Sequence, residues 1–422
     1  MTAQSFIFDS YHFDWNSGEL SLRYSFDDQE FFTEKILFDP EKITQQAKEN
    51  KKSIEQIMFH LHLIAGVSYY KSLCPKNIEI RSSELTEKQA QFWNTVYTKG
   101  LGEFFYENQI DFRGLINFPY SDTAPIRSLG YARDDDTEKK SLLGVGGGKD
   151  TIVSAKKMEE SGKNFDFICI GKIHPSKQAT ADQFKKNIIQ IQRQIDPKLI
   201  EWNTKENVLN GHVPITAINT FMTLVAGYLY GHNESIYALE SSADEGNLIF
   251  CDMEINHQWS KSSEFEQLFN NYTKNLGLDF QFSSNLRKWN ELRIVKEFAQ
   301  YSEFFPIVTS CNKNFTLEGT SPENRWCGKC GKCEFVFALF SAYIPKAQML
   351  EIFGRNFYED YTSIPTFNAL LGLEGNKPFE CVGTQKEMRQ AMSLASQSRQ
   401  YDLDPVMLMF QRDVIQADHL SS

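Results

Sequence analysis

The stretch Leu142-Leu143-Gly144-Val145-Gly146-Gly147-Gly148-Lys149-Asp150-Thr151 constrains the fold of this chain more than any other segment. An apolar run that ends in glycines and opens into a helical pattern reads as strand, tight turn, helix. Such a turn aims backbone N–H groups from a helix N-terminus, where amides and helix dipole together hold a phosphate. Its details exclude two common phosphate loops. A Walker loop follows Gly-Lys at once with Ser or Thr, and here Asp150 intervenes. The dinucleotide fingerprint needs a third glycine where Lys149 stands. The candidate phosphate ligands are therefore the amides of Gly146, Gly147, Gly148, Lys149 and Asp150, the neighbouring Thr151, and the Lys149 point charge. Asp150 repels phosphate by itself and suits a bridging Mg2+. The plainer alternatives are a glycine turn that lets a helix pack closely, and an Asp150 that caps that helix.

From Ser141 onward strands and helices alternate, which predicts an α/β fold with a doubly wound parallel sheet. Strands are expected at Leu142–Gly146, Phe165–Gly171, Leu199–Asn203 and Ser235–Glu240, and helices at Thr151–Ser161, Ala181–Ile195 and Pro214–Tyr230. Ligands of such sheets sit beyond the carboxyl ends of the strands. Gly171 and Lys172 thereby join the candidate nucleotide ligands, and Asn210-Gly211-His212 and Glu240 to Asn247 line the same edge. Residues 1–138 read as an N-terminal α+β module for substrate recognition or as a lid. It has short aromatic strands at Phe6–Asp9, Leu20–Ser25 and Phe31–Phe38, an amphipathic stretch Ile54–Ser72, a helix over Thr86–Tyr106, and a charged linker Arg133–Lys140. Residues 139–333 form the nucleotide domain with its cysteine cluster, and residues 334–422 a mostly helical C-terminal region.

A length of 422 residues accommodates these units, and a net charge of −11 argues against a nucleic-acid partner, which calls for a basic face. No basic n-region with an apolar core opens the chain, and the uncharged run Gly211–Asn233 is broken by Thr216, Asn219, Thr220 and Thr223. The expectation is a cytoplasmic protein without a membrane span. Eight cysteines in that setting read as thiols or metal ligands rather than as a disulfide framework.

Three further groups carry chemistry. Cys327-Gly328-Lys329-Cys330-Gly331-Lys332-Cys333 has the spacing of a metal knuckle, which Cys311 completes to four ligands, with zinc the first choice. An iron–sulfur cluster and unliganded thiols are the alternatives. The polar run Asn256-His257-Gln258-Trp259-Ser260-Lys261-Ser262-Ser263 suits a sugar, diphosphate or peptide, or else caps a helix. His212 and Cys381 stand as candidate proton-transfer groups, against the reading of a structural histidine and a buried thiol.

The glycine turn is similar to the Ser-Gly-Gly-x-Asp-Ser loop of ATP pyrophosphatases, with Gly146 in place of the first Ser. Gly146 to Asp150, Asn210-Gly211-His212-Val213-Pro214, Glu240-Ser241-Ser242-Ala243, Asn256-His257-Gln258, Arg325 to Cys330, Lys377 to Thr384 and Gly100 to Phe105 form an ordered set along most of the chain. In that set the chain resembles the ATP-dependent UDP-N-acetylmuramoyl-L-alanyl-L-glutamate epimerases of cell-wall synthesis. The resemblance implies a nucleotide domain of the adenine-nucleotide α-hydrolase type. It also implies ATP and Mg2+ as reactants, a UDP-muramoyl dipeptide as substrate, and inversion of the terminal L-Glu through a carboxyl adenylate with release of pyrophosphate and AMP. Cys381, Cys311, His212, His257 and Lys261 all stay candidates for the base, except that a Cys311 bound to zinc is not free to act. Two other readings stay open: a ligase resembling the deazaguanine nitrile synthases, and a nucleotide-binding regulator without turnover.

Overall fold

Among the described residues eleven strands run in chain order as β1 (Ser5–Asp14), β2 (Glu19–Phe26), β3 (Glu30–Leu37), β4 (Asn77–Ile80), β5 (Ser141–Gly144), β6 (Phe165–Ile170), β7 (Ile188–Gln194), β8 (Glu234–Ile236), β9 (Leu248–Phe250), β10 (Met253–Ile255) and β11 (Gln281–Ser283). The computed structural model describes residues 2–124, 140–315, 325–374 and 378–416. The expected linker Arg133–Lys140 lies outside them except for Lys140, as do Gly375, Asn376 and Lys377 of the C-terminal loop.

Nine of the strands form one mostly parallel sheet in the order β11-β8-β5-β6-β7-β3-β2-β1-β4, and β9 and β10 make a separate hairpin. The five strands from β11 to β7 are mutually parallel, as expected of alternating strands and helices. Chain order reverses around β5, which has β6 on one side and β8 on the other. That reversal opens a crevice at the carboxyl ends of β5 and β8. Successive side chains face opposite sides, so Leu142 and Ile168 enter one core while Leu143, Phe167 and Cys169 enter another. The first core also holds the aromatic strands β1 to β3 and the helix Ile215–Tyr230. The second holds the helices Lys149–Glu160, Gly331–Ser341 and Gln385–Gln397.

The sheet continues across the boundary expected near residue 138, because β3 pairs antiparallel with β7. A buried bidentate ion pair pins this seam. Arg193 on β7 donates Nε and Nη2 to the two carboxylate oxygens of Glu34 on β3, at 2.7 and 3.0 Å. Glu34 is fully buried, so removing its partner strands a charge at a cost of about 3–5 kcal/mol.

Three expected elements are corrected. The helix foreseen over Ala181–Ile195 ends at Gln183, and its second half is β7, where Ile189 and Ile191 alternate with polar neighbours. Lys185 takes φ +53°, a left-handed break that no glycine advertises. The strand foreseen at Leu199–Asn203 is the helix Pro197–Trp202. Asp196 caps it by accepting from the Lys198 N–H at 2.9 Å, and Pro197 sits where its missing donor costs nothing. The helix foreseen over Thr86–Tyr106 breaks at Leu101 into Glu87–Gly100 and Gly102–Glu107, which re-aims Glu103. Among the described residues no helix is long and apolar enough to cross a membrane.

Candidate active site

The glycine turn leaves β5 at the crevice and enters the helix Lys149–Glu160. Gly147 has φ +80°, and a Cβ there would lie 2.6 Å from Ser176 Oγ, so both conformation and space require glycine. The Gly146 N–H donates to Thr151 Oγ1 at 3.0 Å, and the Thr309 N–H donates to the Gly147 carbonyl at 3.1 Å. Gly148 is the N-cap residue and no side chain caps the helix, so Asp150 does not serve as its cap. Instead the 2% exposed Lys149 ammonium lies between Asp150 Oδ1 at 2.6 Å and Glu291 Oε2 at 2.5 Å. Burial disfavours the Lys149 charge, yet Asp150 and Glu291 override it and hold the ammonium well above its ordinary value. Burial pushes Glu291 up to about 7; Asp150 and Glu240 add to this against the pull of Lys149 and Lys332. Asp150 and Glu240 thus both act on Glu291 beside the phosphate-type turn. Gly171 ends β6, donating its N–H to the Ile191 carbonyl at 2.8 Å, and Lys172 is exposed beside it. His174 and Ser176 follow, and Ser176 backs Gly147.

A second group gathers residues from four distant parts of the chain. Lys261 Nζ donates to Cys381 Sγ at 2.9 Å and to Gln258 Oε1 at 3.3 Å. His257 Nε2 lies 3.9 Å from the same sulfur. Glu103 Oε2 meets Nδ1 of His257 and, at 3.1 Å, Nδ1 of His212. The two imidazole rings are 4.9 Å apart. Burial alone would raise the Cys381 thiol, but Lys261, the His257 contact and Lys332 bring it down to about 6. Burial likewise works against the His257 charge, and Cys381 and Glu103 overcome it, raising the imidazole to about 9. His212 goes the other way, down to about 4, because burial outweighs Glu103. At neutral pH the geometry gives a thiolate beside an imidazolium, the activation that a nucleophilic or basic cysteine needs. The polar run also does the plainer job foreseen for it, since Ser262 Oγ caps the helix Ser263–Asn275 by accepting from Phe265 N–H at 3.2 Å.

Two lysines bind the groups into one site. Lys261 feels both Cys381 and Asp150, and Lys332 acts on Asp150, Glu291 and Cys381. Lys332 Nζ also donates to the Cys381 carbonyl. Glu380 accepts from the Gly331 N–H at 3.1 Å, the Lys332 N–H at 2.8 Å and Asn312 Nδ2 at 2.7 Å. The loop carrying Cys381 is thus anchored on the N-terminus of the helix Gly331–Ser341. Sequence reasoning did not single out Glu103, Glu291 or Lys332 as site residues. Glu103 lay within a recognised motif, and Lys332 was hidden between cysteines read only for their sulfur.

Cys311 groups with the knuckle. The Sγ atoms of Cys311, Cys327, Cys330 and Cys333 all lie within 4.8 Å of one another, and Cys327 and Cys333 are 3.7 Å apart. Tetrahedral thiolates about 2.3 Å from zinc stand roughly 3.8 Å apart, so the four fit that ion. Cys327→Ser is expected to lose most of any bound zinc and to lower Tm by roughly 5 °C or more, because site energy of this kind is folding energy. Metal analysis of purified protein checks it; undiminished zinc would remove Cys327 from the ligand set.

A phosphate-type turn at the switch point of an α/β sheet, with a buried thiol beside a lysine and a histidine, has the layout of an enzyme site. Residues 1–284 match the MurL N-terminal domain and residues 307–421 the MurL C-terminal domain. A relative from Xanthomonas oryzae pv. oryzae is 35% identical over 402 residues, covering 95% of this chain and 88% of the relative. Relatives from a Micromonospora species and from Salinispora tropica are each 34% identical, over 96% of this chain and 89% and 87% of their own lengths. All three are named UDP-N-acetyl-alpha-D-muramoyl-L-alanyl-L-glutamate epimerase. The chain belongs to the MurL family.

Proposed function

We propose that this chain inverts the terminal L-Glu of UDP-N-acetylmuramoyl-L-alanyl-L-glutamate, a peptidoglycan precursor, after joining its α-carboxylate to AMP. The observation that carries the reading is the Cys381 thiolate, set between Lys261 and the His257–Glu103 pair and sharing its lysines with the glycine turn. The order of β11, β8, β5, β6 and β7 supports a doubly wound nucleotide domain of the adenine-nucleotide α-hydrolase type.

Abstracting the α-proton of a free carboxylate would build a second negative charge next to the first. Activation removes that obstacle. The α-carboxylate oxygen bonds to the α-phosphorus of ATP, the bond between that phosphorus and the α–β bridging oxygen breaks, and pyrophosphate leaves. Amides of the turn and Lys149 hold the developing phosphate charge with fixed dipoles and a fixed cation. Asp150 and Glu291 would hold a Mg2+ ion, which would supply further neutralisation of phosphate charge. The Cys381 thiolate, its charge balanced by Lys261 and His257, then takes the α-proton of the uncharged acyl group and becomes the neutral thiol, and the negative charge passes to the substrate enolate. A solvent-derived proton delivered to the opposite face gives the D configuration, hydrolysis of the acyl phosphate frees the carboxylate and AMP, and the thiol returns its proton to solvent.

Incubation with the L-Glu substrate and ATP in deuterated water is expected to place deuterium at the glutamate α-carbon and to yield D-Glu after acid hydrolysis. Neither is expected without ATP. AMP formation without inversion would overturn the reading and favour a ligase.

A further inference from the structure

Lys71 is the buried cation that this mechanism leaves unused. It follows the short helix Val67–Tyr70 and is only 5% exposed. Among the described residues no carboxylate forms an ion pair with it. Its one hydrogen-bond acceptor is neutral, Asn210 Oδ1 at 2.6 Å, and its ammonium stands 5.9 Å from the centre of the Phe104 ring. Burial lowers Lys71 to about 8, the Cys74 thiol being its only opposing influence. A cation withdrawn from water to this degree normally has a charged partner.

The surroundings show a built receptor next to the proton-transfer group. Asn210 is fixed from three sides. Its Oδ1 also accepts from the Gly211 N–H at 2.8 Å, and its carbonyl accepts from Asn108 Nδ2 at 3.3 Å. The adjoining Leu209 N–H donates to the Ser72 carbonyl at 2.9 Å, tying this loop to the Lys71 segment. Asn210 and Gly211 are exposed, so the ammonium lies directly beneath a solvent-facing lip. Two residues on, His212 feels Lys71 electrostatically and shares Glu103 with His257, the neighbour of Cys381.

We propose that Lys71, with Asn210, receives the side-chain carboxylate of the substrate's terminal glutamate and so selects glutamate at that position. This rests on the reading that the α-proton is removed at Cys381. One ammonium and one amide match a single carboxylate, whereas a diphosphate asks for several donors and the α-carboxylate is engaged at the glycine turn. His212, which feels Lys71, and His257, which meets Cys381, link this receptor to the thiol.

The test compares the natural substrate with its γ-amide, UDP-N-acetylmuramoyl-L-alanyl-L-glutamine, by kcat/KM for ATP-dependent α-deuterium exchange. Wild type is expected to prefer the γ-carboxylate by roughly 10- to 100-fold, the range of a hydrogen bond to a charged group. Lys71→Met is expected to lose that factor on the natural substrate alone, so that the preference collapses towards unity. Lys71→Arg is expected to retain most of it. Asn210→Asp, which places a carboxylate on the ammonium, is expected to depress the natural substrate relative to the amide, and it answers the question even where Lys71→Met fails to fold. Equal losses on both substrates in the Lys71 and Asn210 variants, with the preference intact, would overturn the proposal. Full exchange in Cys381→Ser alongside a collapsed preference in Lys71→Met would instead remove the thiol assignment and leave the carboxylate receptor standing.

Discussion

Cys381→Ser is expected to cut epimerisation and α-deuterium exchange by about 10^3-fold or more while ATP-dependent pyrophosphate release on the L-Glu substrate persists. The serine hydroxyl fits the space but does not ionise near neutral pH, so the proton acceptor is lost and the activating half of the site is kept. The pH profile carries the same signature. In the proposed mechanism Cys381 acts as its anion, and it is held at about 6, so kcat/KM should fall as the pH drops through 6. His257 balances that anion as a cation and is held at about 9, so a second decline is expected as the pH rises through 9. Residual exchange in the serine variant should lack the acidic limb. Wild-type exchange rates in that variant would sink the assignment of the thiol.

Lys149→Met is expected to lower pyrophosphate release by roughly 10^2- to 10^3-fold, the scale of one fixed group aimed at developing charge. The single change also leaves Glu291 and Asp150 facing each other without their cation, a destabilisation of about 3–5 kcal/mol. The informative protein is therefore the double variant Lys149→Met with Glu291→Gln, in which the buried charges leave together. Its Tm should recover most of the loss, while pyrophosphate release stays low. A double variant that releases pyrophosphate at the wild-type rate would mean that the phosphates bind elsewhere.

The parts of this site that a linear reading reveals are those built from neighbours in sequence. Gly146 to Thr151 and Cys327 to Cys333 each concentrate their chemistry within seven residues or fewer, and their spacing alone states what they can hold. The thiol centre is different. Cys381, His257 and Lys261 were visible as candidates, but Glu103, which orients both histidines, reaches them across 154 and 109 positions of chain. It lies inside the motif Gly100 to Phe105, but that motif does not say which histidines it meets, because its placement follows from a helix break at Leu101. Glu291 was hidden in the same way, since a charged residue in the first turn of a helix reads as solvent-facing until the fold buries it against Lys149. The misread segment Ala181–Ile195 has a single physical cause. Lys185 adopts a left-handed backbone without being glycine, so the turn from helix to strand leaves no mark in composition. At Pro197 the signals were present, because Asp-Pro ahead of an apolar pair is a helix start rather than a strand.

The seam between β3 and β7 and the anchoring of Glu380 on the metal-type knuckle share one outcome for how this enzyme comes into being. Glu103 arrives early in synthesis, His212 and His257 near the middle, and Cys381 close to the end. A ribosome can therefore have delivered the entire glycine turn and both imidazoles while the growing polypeptide still has no thiol with which to take a proton. Any truncation before residue 381 should yield a protein without epimerase activity, however well its earlier strands have assembled, and two halves supplied separately would have to rebuild the sheet before any turnover began.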